Sequence, residues 1–290
     1  MLKNPSATMM PHDYVLPATR SMGLSASKIE SFHQCKAKFR AEFIHKSIPF
    51  IETEETRKGK KIHSVLENAV LSSGMSIETL NEDYKLNEFT LNKLYGVLAA
   101  NGQKFAEFKF GITDDMNQCV QLNANWDKQP NKQPYLYTGS MDVRVVNGIY
   151  TTIIDWKTGR VYKPYTGPAG KFAAEKSVLE KSISEKKLQF DMYALAEFML
   201  NPQCQYIKAI YVFTEYDKDM PFMYSREEDF ARLREMFFDE AKLIWWSINT
   251  WTQSAAEGKT GIMLESVTPL CGWCGIRENC IPFNRSLGAK

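Results

Sequence analysis

Residues 153–159 read Ile-Ile-Asp-Trp-Lys-Thr-Gly. An apolar run ends in an acid, and a lysine follows two positions later. Side chains alternate along a strand, so Asp155 and Lys157 project to the same side if the run is one. A carboxylate and an ammonium held together at a strand end suit a divalent cation and the water it activates. Alone, an Asp-x-Lys triplet describes a surface ion pair equally well, so its neighbourhood has to decide.

The nearest neighbour is Gly139-Ser140-Met141-Asp142, separated from the first stretch by Asn147-Gly148. Asn-Gly between alternating apolar residues predicts a hairpin, here with strands over 136–146 and 149–156. A turn centred on Asn147-Gly148 sets Asp142 opposite Ile153 and makes Asp155 its diagonal neighbour on the same face. Two carboxylates on one face of a buried hairpin are costly unless a cation joins them.

Further along, Gln189-Phe190-Asp191-Met192-Tyr193 falls in a predicted helix over 188–200 with Leu188, Met192, Leu195 and Met199 as its buried stripe. Gln189 and Tyr193, at i and i+4, share one edge beside that stripe. Gly59-Lys60-Lys61-Ile62-His63 opens another helix, reaching Leu71, with Ile62, Leu66 and Val70 on its apolar face. His63 stands beside that face, and histidine is both a transition-metal ligand and a general base.

The tail carries Cys271-Gly272-Trp273-Cys274 and then Cys280. Two thiolates at Cys-x-x-Cys spacing with a third close behind form a metal-binding pattern, either tetrahedral zinc or a four-iron cluster. A fourth ligand is needed. Cys35, Cys119 and Cys204 are all candidates on spacing.

The 290 residues include 44% hydrophobic and 24% charged side chains, the composition of a globular protein with a sizeable core. No apolar run approaches the length of a bilayer span, and residues 1–22 show no secretory signal, so a cytoplasmic protein without membrane association is expected. With 36 basic against 34 acidic side chains, net charge neither demands nor excludes nucleic acid. Residues 1–22 read as a flexible lead and 23–290 as a single domain. A first helix is expected from a capping box at Ser27 and Glu30 to about His45. Another is expected over 80–101, followed by a β region from Phe105 to Lys157, a buried strand over 206–216 and a long amphipathic helix through Phe230, Leu233, Phe237, Ala241, Ile244 and Ile248. The stretch from Lys157 to Lys187 holds eight lysines and arginines against three glutamates, with Pro164, Gly167, Pro168 and Gly170. It reads as a basic insertion at about 160–187, either a DNA-guiding element or a solvated loop.

Taken in order, these motifs resemble the PD-(D/E)XK nuclease superfamily, and more narrowly its RecB-like iron–sulfur branch of CRISPR adaptation nucleases, AddB nuclease domains and exonuclease V. The matching pattern runs from the Ser25–Cys35 helix through Gly59–His63, Gly139–Asp142, Asp155–Gly159 and Gln189–Tyr193 to Cys271–Cys280. It departs from the branch in having Lys36 after Cys35, where proline is frequent. The resemblance implies an α/β restriction-endonuclease-like core, a mixed central sheet flanked by helices, with its terminal segments clipped by a cysteine-ligated cluster.

It further implies that His63, Asp142, Asp155 and the Trp156 carbonyl hold Mg²⁺ or Mn²⁺, with Lys157 acting on the attacking water. Gln189 and Tyr193 are expected to hold the substrate strand and brace the lysine. Cys35, Cys271, Cys274 and Cys280 are expected to bind a [4Fe–4S] cluster, with zinc as the alternative. Glu107 is expected to touch the site through water. The implied activity is a DNA nuclease, most readily an exonuclease on ends or single strands leaving 5′-phosphates. The setting would be DNA repair, recombination or phage or CRISPR DNA processing, alongside a helicase or recombination partner. A different class, a nuclease-derived module that binds nucleic acid without cutting, is disfavoured by the intact Asp142, Asp155 and Lys157.

Overall fold

A computed structural model describes residues 10–17, 20–47, 52–71, 86–123, 126, 135–158, 171–214, 218–256, 271 and 280; of residues 55, 171–185, 254 and 255 it describes the backbone alone. The chain divides into two compact units, one of residues 51–234 and one of residues 1–50 with 235–290.

The first unit is built on a six-stranded sheet. Its strands are β1 (Gln103–Ile112), β2 (Cys119–Gln121), β3 (Tyr137–Asn147), β4 (Tyr150–Lys157), β5 (Tyr206–Phe213) and β6 (Lys218–Ser225). Their order is β2-β1-β3-β4-β5-β6, and each neighbouring pair is antiparallel except β4 and β5. A parallel pair needs a long crossover, and helix α5 (Lys171–Leu200) lies within it. Ile153 through Trp156 are all buried. Such a continuous run marks a strand covered on both faces. The mixed α/β architecture expected from the sequence is the one observed.

One face of the sheet receives α3 (Glu54–Leu71) and α4 (Glu88–Ala99). The expected stripe of Ile62, Leu66 and Val70 packs there with Val143, Val145, Ile154, Trp156 and Val212. Asn87 starts α4 by accepting the Thr90 N–H at 2.8 Å, which satisfies one free donor of the first turn. Against the opposite face lies α5, where Phe190 stacks on Tyr211 at 4.0 Å between ring centroids.

The hairpin corrects the sequence reading by one residue. Its central turn residues are Gly148 and Ile149, and only Gly148 adopts a left-handed φ, +58°. That is the pattern of a type II′ turn, with glycine first. Asn147 therefore closes β3, paired with Tyr150. The paired register ends at Val143 opposite Ile154, and Ile153 faces Arg144, not Asp142.

Three other expectations change. The helix expected from residue 188 begins at Lys171, so the supposed insertion from residue 171 onward is the first part of α5. Its alanine, glutamate, lysine and leucine content favours helix; the charge and the glycines and prolines before it had argued for a loop. Pro164, Gly167, Pro168 and Gly170 lie outside the described residues, as do 80–85 of the helix expected over 80–101. Residues 190–198 of α5 are buried on every side, so there is no single stripe. Strand β6 was not foreseen, because Pro221 interrupts its pattern; it is an edge strand, where proline is tolerated.

In the second unit, α1 (Ala26–Gln34) starts at Ser25, whose Oγ accepts the Lys28 N–H, so the cap is two residues ahead of the one expected. The expected continuous helix breaks at Cys35, which is extended at φ −162° and ψ 109°, before α2 (Lys36–Phe39) and a π-helical turn over Arg40–Ile44. The later half of α6 (Arg226–Ala256) supplies buried Phe237, Ala241, Ile244 and Ile248, as its periodicity predicts. Phe32 stacks on Trp251 at 6.1 Å. Among the described residues no helix is long and apolar enough to cross a membrane.

Candidate functional site

Two glycines allow the elements of the first unit to close on one point. At Gly59 of α3, a Cβ would stand 2.8 Å from Thr158 Oγ1, so any side chain there would push the threonine hydroxyl aside at the end of β4. One turn later His63 faces β3, with Nδ1 3.3 Å from Asp142 Oδ2. At Gly139 of β3, a Cβ would stand 2.5 Å from the ring of Phe110, which lies across it and meets the Tyr193 ring edge-on at 6.0 Å. Close packing thus favours glycine at the first position of Gly-x-x-x-His and of Gly-x-x-Asp.

The strands lose their alternation where the acids sit. Arg144 reaches α5, and its guanidinium lies over the rings of both Phe105 and Phe108. Phe110 faces α5 as well. Residues 105, 108 and 110 therefore share a face, which a regular strand forbids. The phase changes at Glu107, held at φ +45°, an unusual conformation for any residue but glycine. Glu107 and Asp142 drop out of a ladder that runs from Ala106–Val143 to Phe108–Met141. Their carboxylates and the His63 imidazole bring three ligand atoms within 4.8 Å of one another. Opposed ligands of Mg²⁺ stand about 4 Å apart, so one ion fits this spacing with small adjustment. Glu107, expected only at one water's remove, belongs to this inner group.

Asp142 also accepts the Trp156 N–H at 2.7 Å, which ties β3 to β4 at the site. Asp155 is 2% exposed; its Oδ2 lies 2.5 Å from Lys157 Nζ as an ion pair and takes no aligned hydrogen bond. The Trp156 indole packs in the core beneath α3, so this residue can offer the site its backbone alone.

Gln189 makes the link to α5. Its Nε2 donates to Asp155 Oδ1 at 2.9 Å and to Tyr193 Oη at 2.5 Å, while its Oε1 accepts from Lys157 Nζ at 3.1 Å. Tyr193 in turn donates to the Ser140 carbonyl. With its amide engaged and Tyr193 buried, this pair braces Asp155 and Lys157. One turn on, Glu197 extends the same polar line, accepting from Arg144 at 2.5 and 3.0 Å and from Thr151 at 2.8 Å. The reading of α5 stopped at Tyr193, although Glu197 continues its i, i+4 spacing.

Burial pushes the Asp155 carboxyl up to about 6, with Lys157 pulling down and Asp142 pushing further up. Glu107 is raised by burial and then by Asp142. At His63 burial opposes the charged form, but the hydrogen bond and charge of Asp142, aided by Asp155, prevail and raise the pKa. Burial, followed by the charges of Asp155 and Asp142, holds Tyr193 well above its ordinary value, so its hydroxyl remains a donor. Acids forced together and protons retained describe a site that gains from a cation.

Cys35, Cys271 and Cys280 fall in the second unit and are each partly buried; Cys274 lies outside the described residues. Cys119 and Cys204 fall in the first unit. Cys204 is fully buried with its thiol near Thr151 Oγ1, and burial pushes the Cys119 thiol up to about 12, so neither is a ready thiolate.

Among curated proteins none matches the chain. A solved structure described as the crystal structure of SSO0001 is similar at 12% identity, covering 77% of this chain and 96% of that one, with a TM-score of 0.30. The profile of one family, the PD-(D/E)XK nuclease superfamily, matches residues 23–281, which takes in every motif described above. With nearly the whole length matched, the chain belongs to the PD-(D/E)XK nuclease superfamily.

Proposed function

We propose that the protein is a Mg²⁺- or Mn²⁺-dependent deoxyribonuclease acting on DNA ends or single strands as an exonuclease. The observation that carries this reading is the convergence of His63, Glu107, Asp142 and Asp155 beside the Lys157 ammonium. Members of the superfamily are generally nucleases. Hard carboxylate oxygens suit Mg²⁺, and the imidazole adds affinity for Mn²⁺. His63, Asp142, Asp155 and the Trp156 carbonyl would hold the ion, with Glu107 added by its position. When bound, the ion supplies Lewis-acid polarisation of the scissile phosphate and lowers the pKa of a water. Lys157 reaches the same point, where it orients that water and offsets charge developing on the phosphate. Gln189 fixes Lys157 and Asp155 relative to each other, and Tyr193 anchors Gln189 to β3.

In the second unit, Cys35, Cys271, Cys274 and Cys280 would hold a [4Fe–4S] cluster with a structural role, since phosphodiester hydrolysis needs no electrons. The break of α1 at Cys35 and the grouping of three of these cysteines in one unit support the pairing of helix with tail. Iron and sulfide in anaerobically purified protein would bear this out; one equivalent of zinc without iron would replace the cluster and leave the nuclease reading intact.

The activity is tested on end-labelled DNA with Mg²⁺ and with Mn²⁺. Wild-type protein is expected to shorten it to products bearing 5′-phosphates, and Asp155→Ala to abolish cutting while still binding DNA. Equal cutting by wild type and variant would refute the assignment.

A further inference from the structure

Two clefts meet at the site. One, of about 460 Å³, is bordered by Gly59, His63 and Thr158; the other, of about 560 Å³, continues between the end of α3 and strands β1 and β2. Glu67 and Glu107 border both, so the acids stand where the two join.

The second cleft has a different charge. Lys104 and Lys109 line it, and both are half-buried. The phase change at Glu107 places them together. Lys104, two residues before Ala106, shares the face of the sheet that packs on the α3 side; Lys109 lies between Phe108 and Phe110, which face the other way. In an uninterrupted strand residues 104 and 109 would point to opposite faces. Neither lysine makes an ion pair with another described residue, in contrast to Lys60 beside the first cleft, which lies 2.6 Å from Glu52. Holding ammonium groups half-buried without a carboxylate costs solvation with no ionic return within the fold, and an external anion supplies that return.

We infer that the second cleft is a track for a polynucleotide strand, with Lys104 and Lys109 engaging phosphates flanking the one at the acidic junction. This deepens the nuclease reading and rests on it. Five residues of extended chain span about 16 Å, a spacing that suits successive phosphates along a strand. Positive charge beyond the junction would align the strand's backbone, while the acids at the junction leave the phosphate between the two clefts to a cation. Such contacts to phosphate are independent of base sequence.

The test is equilibrium binding of the full-length protein to a fluorescent single-stranded 30-mer without divalent cations, across a salt series. The double variant Lys104→Gln/Lys109→Gln is expected to bind roughly tenfold more weakly per lysine at low salt. Its log–log salt slope should be shallower by about 1.4, from about 0.7 per lost single-strand phosphate contact. Lys104→Arg/Lys109→Arg should bind like wild type. Each single glutamine variant should lose about half of the slope change, which keeps the test decisive if the double variant melts early. Wild-type affinity and slope in the glutamine variants would overturn the track, as would an arginine variant as weak as the double glutamine one. Those results would leave the nuclease reading standing, provided wild-type protein cuts the same 30-mer when Mn²⁺ is added. Failure of wild type to cut it would remove that reading and the track together.

Discussion

Lys157→Ala is expected to reduce DNA cleavage at saturating Mn²⁺ by at least about 10²–10³-fold, the usual cost of removing one preorganised group that stabilises transition-state charge. The structure attaches a second effect. Lys157 Nζ is the ionic partner of Asp155, which is buried and already raised to about 6. Of the influences on that carboxyl, burial is the largest and raises it, while Lys157 is the foremost one lowering it. Without the ammonium, the Asp155 pKa climbs further, and at neutral pH the group keeps its proton. A cation must then displace a proton to bind. Calorimetric titration with Mn²⁺ should show weaker binding by the variant at pH 7, recovering as pH rises through the new Asp155 pKa. Cleavage should not recover with it, because the ammonium is still missing. Recovery of both would reduce Lys157 to a keeper of the Asp155 charge.

The second large effect is on stability. Glu197→Ala is expected to cost about 3–5 kcal/mol, read as a lower urea midpoint. Arg144 and Glu197 are 8% and 0% exposed, and the truncation strands a guanidinium that cannot shed its proton. The rings of Phe105 and Phe108, 4.9 and 4.7 Å from that guanidinium, offset only part of the loss. Replacing both partners with apolar residues, Arg144→Met with Glu197→Leu, should recover most of it, since breaking a buried pair costs far more than removing it whole. If the single and double variants unfold alike, the pair contributes through shape and not through charge. Glu197 is one turn beyond Tyr193 and Arg144 two residues beyond Asp142, so the same contact ties α5 to β3 beside the acidic cluster.

Much of this site was legible in the sequence because its chemistry is local. Ile153 to Lys157 reads as a strand that ends in an ion pair, and that is how it folds. Gly59 and Gly139 could be located, but what crowds them could not be read, since Thr158 and Phe110 meet them only in three dimensions. The one-residue slip of the hairpin shows the limit of turn rules: Asn147-Gly148 and Gly148-Ile149 put Val143 and Val145 on the same face, so patterning does not choose, and the chain takes the second pair as its turn. Glu107 sits in Phe105-Ala106-Glu107-Phe108-Lys109-Phe110, where the three-residue step from Phe105 to Phe108 breaks the alternation, but nothing along the chain says which residue takes the left-handed conformation. Glu197 was hidden because an acid in an apolar helix is intelligible only once Arg144 and Thr151 face it.

Glu107 carries a wider consequence. Glycine would relax the backbone there, yet glycine brings no carboxylate, so the fold carries its awkward dihedral in order to place a negative charge among others. Folding and ion capture are consequently linked thermodynamically. A cation settling among these ligands favours the native state by mass action, and the chain's resistance to heat would then rise and fall with the divalent ions around it.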